Sequence, residues 1–562
     1  STTDSERIAL IQWARGLDID DEDSDNITTT EARHYIGDPL HSKPALMTYK
    51  GTNEEDADIT LFMATNEGYL HAFDLYNPTP GDPSDDTVTE HFAFIPQELL
   101  PNLNGLKTNA AVNPHIYGLD GPISLWHKDL PDVHGKKDGL VLNANGSVQT
   151  GEHVYLYMGM RRGGNNYYAM DVTNRNNPVL KWIIKGGVTP GFEELAQTWS
   201  TARHIKIMWQ GTEKDALVFA GGYDTAQDSG VAGRPSNDSV GRAVYIVDAE
   251  NGSLLWWAGP DETTNNANLK LADMKNSIAA DVVPIDHNNN GYVDRLYTAD
   301  LGGRIWRFDI DEKHTTADNF ATGGVLADLG GTTAKDNRRF YYSPSVAWNQ
   351  KGSVFYYSIA IGSGYRAHPL DKTVLDRFYV VRDTNEKDAN GNITYTAITE
   401  TDLYDATNDI VNTGTDAEKL TALDAIAKAE GWYIDLVNPT DGSLEGEKVL
   451  APAVTFRGTV MFTTYTPVPD TQTTGCAPNT GTSKFYLVDL YNAAAIVNFD
   501  TNNGYDRSSY VAGGSIPAPP TVIYDPDGGG ITITVGPNKI DFGTNDPFSG
   551  RMFSVERWQQ TR

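Results

Sequence analysis

Residues 295–311 read RLYTADLGGRIWRFDID. Two runs of alternating residues, RLYTA and RIWRFD, flank a turn that contains Gly302 and Gly303. Period-2 alternation of aromatic and branched residues around a glycine turn is the pattern of a β-hairpin. The second run ends at Asp309, and the same unit recurs along the chain. It reads LFMATNEGYLHAFDL at 61–75, with Gly68 and Asp74, and VYLYMGMRRGGNNYYAMDVTN at 154–174, with Gly164 and Asp171. LVFAGGYD (217–224) and RAVYIVDAENG (242–252) form a third copy, with Gly222, Gly241 and Asp248. Two degenerate copies end at Asp383 and Asp489.

Lead-in strands carrying Pro or Ser precede several copies: GDPLHSKPALMTY, GPISLW, SPSVAW and APAVTF. Trailing strands such as LKWIIKGG and LLWWAGP follow others, which makes four-stranded units. Radial repetition of such units is how a β-propeller limits exposed strand edges. The fold expected is therefore all-β, a modified β-propeller of about seven blades. The seventh blade is expected either from weaker strands around Gly118–Trp126 or near the C-terminus. A string of β-sandwiches is the competing architecture, and recurrence of one hairpin with one terminal Asp favours the propeller.

Three segments fall outside the repeat. Residues 1–16 place Ile8, Leu10, Ile11 and Trp13 at helical spacing before Gly16, as in a docking or linker helix. TDAEKLTALDAIAKAEG, near 415–431, has capping-box spacing at Thr415 and Glu418. Its apolar face is expected from Leu420, Leu423 and Ile426, with Gly431 ending the helix. The last fifty residues, with Gly528–Gly530, read as a strand-rich tail. The division expected is an N-terminal helix and acidic linker over 1–33 and a propeller with inserted loops over 34–562.

Composition removes several function classes. Lys plus Arg is 44 against 75 Asp plus Glu, a net charge of −31. Nucleic acid and anionic lipid both demand clustered cations. A single cysteine, Cys476, allows no internal disulfide and no Cys-based zinc site, and is expected as a free thiol or half of an external bond. No apolar run is long enough for a transmembrane helix. The chain begins at Ser1 without initiator Met or signal peptide, as expected of a processed or truncated chain.

The sharpest chemical signal is DHNNNGYVD, residues 286–294. Calcium takes six to eight oxygens, and a tight loop presents them from alternate residues with a backbone carbonyl at position 7. Asp286, Asn288, Asn290 and Asp294 supply side-chain oxygens at positions 1, 3, 5 and 9, and Tyr292 supplies the carbonyl. Gly291 at position 6 permits the sharp turn. The loop departs from the EF-hand: position 12 is Tyr297 rather than a bidentate Glu, and strands rather than helices flank it. Two carboxylates imply moderate affinity, with waters completing the shell. An Asn-Gly turn with incidental Asp residues is the bland alternative.

Other candidates are weaker. Asp21, Asp23 and Asp25 alternate within DIDDEDSDN and read as a solvated acidic linker. DANGN (388–392) reads as a turn, and RRGGNN (161–166) as a blade turn without the P-loop lysine. His41, His71, His115 and His127 lack paired metal spacing and read as structural. The Trp-rich hairpins also resemble quinoprotein dehydrogenases, which use a vicinal cysteine pair over the quinone; this chain has no such pair.

The segments LIQWARGLD, GDPLHSKP, ATNEGYLHAFD and TADLGGRIWRFD, with DHNNNGYVDRLY, together resemble the C-terminal domain of the PilC/PilY family. These are type IV pilus tip-associated adhesins and biogenesis factors. The resemblance covers nearly the whole chain. It implies a modified β-propeller with a surface calcium site at Asp286, Asn288, Asn290, Tyr292 and Asp294. The family pattern often has Asp where Asn290 stands; Asn keeps the oxygen and removes a charge. The resemblance further implies a non-enzymatic module at a pilus tip. There calcium would influence pilus extension against retraction, and with it adhesion, twitching motility and virulence. Minor pilins and a host or abiotic surface would be its partners. The location implied is the bacterial cell surface, reached through the periplasm or outer membrane. A quinone-dependent periplasmic oxidoreductase is the alternative function.

Overall fold

The computed structural model describes residues 3–33, 35–50, 57–76, 87–109, 115–131, 137, 139–140, 148–229, 237–384, 393–468, 481–499, 504–524, 530–542 and 547–548. Among the described residues seven β-sheets account for the strands, with few helices. The fold is an all-β propeller of seven blades, one sheet to each blade. All six hairpins read from the sequence form with antiparallel pairing. The chain divides into two compact units.

The first unit holds three sheets and the N-terminal residues, 1–33 among them. Its first sheet runs Ala45–Lys50, Asp58–Ala64, Leu70–Tyr76 and Thr87–Phe94. The second runs Ile123–Lys128, His153–Gly159, Asn166–Asp171 and Val179–Lys185. Gly118–Trp126 therefore leads into the second blade and is no part of a seventh. The third sheet runs Arg203–Trp209, Thr212–Ala220, Val244–Asp248 and Leu254–Pro260, and Leu269–Leu271 adds in parallel. Buried side chains of adjacent sheets interlock: Trp126, Tyr157 and Tyr167 of the second pack with Phe219, Tyr245 and Trp257 of the third.

The second unit holds the hairpin Arg295–Ala299 and Arg304–Ile310, followed by Ala321–Asp328. The fifth sheet contains Ser345–Lys351, Val354–Gly362, Arg377–Asp383 and Gly431–Asp435. Thr459–Thr466 and Thr482–Asp489 centre the sixth. The C-terminal alternative for the seventh blade is the one that forms, as Pro520–Tyr524, Ile531–Val535 and Asn538–Lys539. Phe378 stacks on Phe462 at 3.8 Å and joins the fifth sheet to the sixth.

The hairpin turns explain the glycines. Asp300 Oδ1 accepts from Gly302 N at 2.8 Å and Arg304 N at 2.9 Å, and its Oδ2 accepts from Trp306 Nε1 at 2.9 Å. Gly303 closes this turn at φ +82°, where a Cβ would lie 2.6 Å from the Gly330 Cα. Gly303→Ala therefore combines left-handed backbone strain with overpacking. It is expected to destabilise the second unit by about 2 kcal/mol or more in chemical denaturation.

The recurrent terminal Asp has two uses. Asp248 Oδ1 accepts from Glu250 N at 2.8 Å, and Asp489 Oδ1 accepts from Tyr491 N at 2.9 Å, each shaping the turn to the next strand. Asp309 and Asp383 instead enter a buried ion network with Arg295 and Arg307.

Both helices form. Thr3 caps Asp4–Ala14 with a capping box; Trp13 is buried, while Ile8 and Ile11 face solvent. Thr415 and Glu418 make the expected capping box on Asp416–Lys428. The apolar face there differs from expectation: Ala422 and Ile426 are buried, and Leu420 is 70% exposed. Leu420 lies six residues before Ile426, about 120° round the helix, so the two cannot share a narrow face. Gly431 does not end the helix; Ala429 caps it, and Gly431 opens the next strand. Asp388–Asn392, Cys476, and Gly528 and Gly529 lie outside the described residues. Among the described residues no helix is long and apolar enough to cross a membrane.

Blade two carries a pH-sensitive group. His153 is 5% exposed, stacked on Tyr155 at 3.9 Å and edge-on to Trp126 at 4.3 Å. Burial pushes its pKa down from 6.5 to about 4. Below the ordinary histidine pKa the unfolded chain takes the proton first, so acid favours unfolding. Stability is expected to fall between about pH 6.5 and 4, by up to about 3 kcal/mol. His153→Phe should flatten that limb of a stability–pH curve.

Candidate metal centre

The loop 286–294 runs between the short strand Val283–Ile285 and Arg295, where the next strand begins. Strands flank it on both sides, as expected. Asp286 closes the turn: Oδ1 accepts from Asn290 N at 3.0 Å, and Oδ2 accepts from Gly291 N at 2.8 Å. Asp294 closes the other end, accepting from His287 N at 2.7 Å and Asn288 N at 3.3 Å. Asn288 Oδ1 accepts from Asn290 N, and Asn290 Oδ1 from Tyr292 N, each at 3.0 Å. Gly291 sits at φ +95° with open space where a Cβ would be.

The loop is thus wrapped by its own side-chain oxygens. A carboxylate or amide oxygen that accepts one N–H keeps further lone-pair capacity. Asp286, Asn288, Asn290 and Asp294 offer only oxygen toward the loop interior, the donor type a hard divalent cation takes. These residues fit calcium by donor chemistry and by the turn that Gly291 permits.

Two residues outside the motif complete the surroundings. Glu312 accepts from Asn288 Nδ2 at 3.0 Å, and both its oxygens accept from Asn290 Nδ2 at 2.9 Å. Tyr292 donates its hydroxyl to Glu213 at 3.0 Å, and Val293 N donates to the Lys206 carbonyl at 2.8 Å. Lys206 also donates to Glu213 at 2.8 Å. That bond and the Tyr292 hydroxyl hold the Glu213 pKa below the usual carboxylate range. Sequence reading missed Glu312 and Glu213, because neither belongs to the loop's own spacing. Only the return of the chain beside the loop brings Glu312 in: Ile310 N donates to the Asp294 carbonyl at 2.8 Å.

The remaining candidates separate clearly. Carboxylate oxygens of Asp21, Asp23 and Asp25 all lie within 4.8 Å of one another, two of the three residues being exposed. His41 pairs with buried Asp120 at 2.8 Å, and His71 with Glu90 at 2.6 Å. His115 reaches Asp38 at 3.6 Å, and burial lowers the His127 pKa. These histidines make protein contacts, in keeping with structural roles.

The family described as the PilY1 beta-propeller domain matches residues 20–328. A type IV pilus biogenesis factor PilY1 homolog of Xylella fastidiosa is 24% identical over 443 residues, covering 77% of this chain and 26% of the relative. The type IV pilus biogenesis factor PilY1 of Pseudomonas aeruginosa strain PAK is 23% identical over 575 residues, covering 92% of this chain and 44% of the relative. The chain thus spans less than half the length of these relatives. The crystal structure of the Pseudomonas aeruginosa PilY1 C-terminal domain aligns with a TM-score of 0.55 at 18% identity, covering 86% of this chain and 92% of that one. These relatives are named as pilus biogenesis factors, not as enzymes, and the solved structure has the same fold.

Proposed function

The chain belongs to the PilY1 beta-propeller family, and from that premise we propose that it is a calcium-binding module of a type IV pilus biogenesis factor. The observation that carries the calcium reading is the oxygen-lined loop 286–294. Asp286, Asn288, Asn290 and Asp294 would hold the ion with side-chain oxygens, and Tyr292 with its carbonyl. When bound, calcium supplies positive charge that offsets the mutual repulsion of Asp286 and Asp294.

Ligand binding favours whichever loop state binds it, and a partner that reads the closed surface then responds to calcium. The Tyr292–Glu213 and Val293–Lys206 contacts carry loop order into the third blade. In this reading the module acts at the pilus tip on the cell surface. It meets minor pilins and an attachment surface, and it biases pilus extension against retraction.

The test places Asp286→Ala in the full-length protein of a piliated cell and measures surface pili and twitching with and without chelator. The calcium response is expected to vanish in the variant. An unchanged calcium response would refute the regulatory role. Reconstitution with pyrroloquinoline quinone is expected to give no dye reduction, and turnover would revive the oxidoreductase reading.

A further inference from the structure

Glu312 stands outside the nine-residue loop, yet it touches two of its candidate ligands. We propose that Glu312 is a positioning residue that turns the amides of Asn288 and Asn290 so that both side-chain oxygens face the calcium loop's interior. The proposal rests on the calcium reading above.

An ionised carboxylate only accepts hydrogen bonds. Glu312 faces both amides, at 3.0 Å from Asn288 Nδ2 and 2.9 Å from Asn290 Nδ2. Only the NH2 ends of the amides can satisfy it. The otherwise ambiguous amide orientation is therefore set by an acceptor-only partner. The two Oδ1 atoms must turn the other way, where they accept from Asn290 N and Tyr292 N. That is the side on which the Asp286 and Asp294 carboxylates gather the loop's backbone N–H groups. Glu312 is itself held nearby, because Ile310 N bonds the Asp294 carbonyl two residues earlier in the chain.

The same geometry gives a reason for Asn at position 290. An Asp there would set its carboxylate against that of Glu312 at hydrogen-bond distance, with no proton to share. Asn290 and Glu312 thus form a matched pair. Outer partners that orient ligands typically govern about 10- to 100-fold in metal affinity.

Calorimetric calcium titration of chelator-treated protein tests this with Glu312→Ala, Asn290→Asp and the double variant Asn290→Asp/Glu312→Gln. Glu312→Ala is expected to weaken calcium about 10- to 100-fold, with the thermal midpoint of the calcium-free protein unchanged. Asn290→Asp alone should bind no more tightly than wild type, whereas the double variant should bind more tightly than Asn290→Asp alone. Unchanged or stronger binding by Glu312→Ala would overturn the positioning role, as would additive effects of the two substitutions. A wild-type protein that binds no calcium would instead overturn the calcium reading, and this proposal with it. A readout without metal completes the test. The Asn288 and Asn290 side-chain amide resonances of asparagine-labelled protein should shift in Glu312→Ala, and their indifference would also refute the role.

Discussion

Asp286→Ala is expected to abolish calcium binding at the loop, a loss of about 100-fold or more in affinity. Asp286 is the loop's first ligand and also its clasp. Its two oxygens accept from Asn290 N and Gly291 N, the bonds that fold the loop back on itself. Alanine removes one of two ligating carboxylates and releases the turn that presents the Asn oxygens and the Tyr292 carbonyl. Charge and preorganisation are lost together, so water cannot replace the side chain. Calorimetry on chelator-treated protein checks this, with Asp23→Ala as the comparison. Asp23 belongs to the N-terminal acidic stretch, and its loss should leave the titration unchanged. Retained affinity in Asp286→Ala, with loss in Asp23→Ala, would move the ion to that stretch.

Asp383→Ala is expected to destabilise the second unit by about 3–5 kcal/mol. The side chains of Asp383 and Arg307 are both 0% exposed. Arg307 Nη1 donates to the two Asp383 oxygens at 2.8 and 2.9 Å, and its Nε and Nη2 donate to Asp309 at 2.8 and 2.9 Å. Arg295 donates to Asp309 at 2.9 Å, and the Tyr297 hydroxyl donates to Asp383 at 2.6 Å. Burial disfavours the Arg307 charge, yet the Asp309 hydrogen bonds and the field of Asp383 hold its pKa above the ordinary value. Two guanidinium groups balance two carboxylates. Removing Asp383 leaves a buried positive charge in surplus and orphans the Tyr297 hydroxyl. Chemical denaturation measures the loss. A change below about 1 kcal/mol, the scale of an exposed pair, would show that water reaches the network.

Most of the fold is legible in the sequence because its signal is local. Each hairpin needs alternation, a turn glycine and a terminal Asp, all close together in the chain. The parallel additions were not legible: Leu269–Leu271, Ile398–Thr399 and Tyr404–Asp405 are too short to show any period. The seventh blade was ambiguous, because GPISLW at 121–126 has the composition of a blade strand wherever it docks. Leu420 misled because a leucine between helical core positions looks buried until the angle to Ile426 is counted. In the metal centre the five ligand positions stand in one loop and share one spacing. Glu213 lies 79 residues from its partner Tyr292, and Glu312 lies 22 from Asn290. Contacts of that kind exist only after the sheets have formed. The split use of the terminal Asp was equally hidden, since one residue type shapes a turn at Asp248 and joins an ion network at Asp383.

The central claim is that calcium sits in the 286–294 loop. The most direct measurement is an anomalous difference map from a crystal of the chain grown with calcium. The account predicts one strong peak among the oxygens of Asp286, Asn288, Asn290 and Asp294 and the Tyr292 carbonyl, with Glu312 on the far side of both amides. A map with no peak there, or with its only peak at Asp21, Asp23 and Asp25, would contradict it.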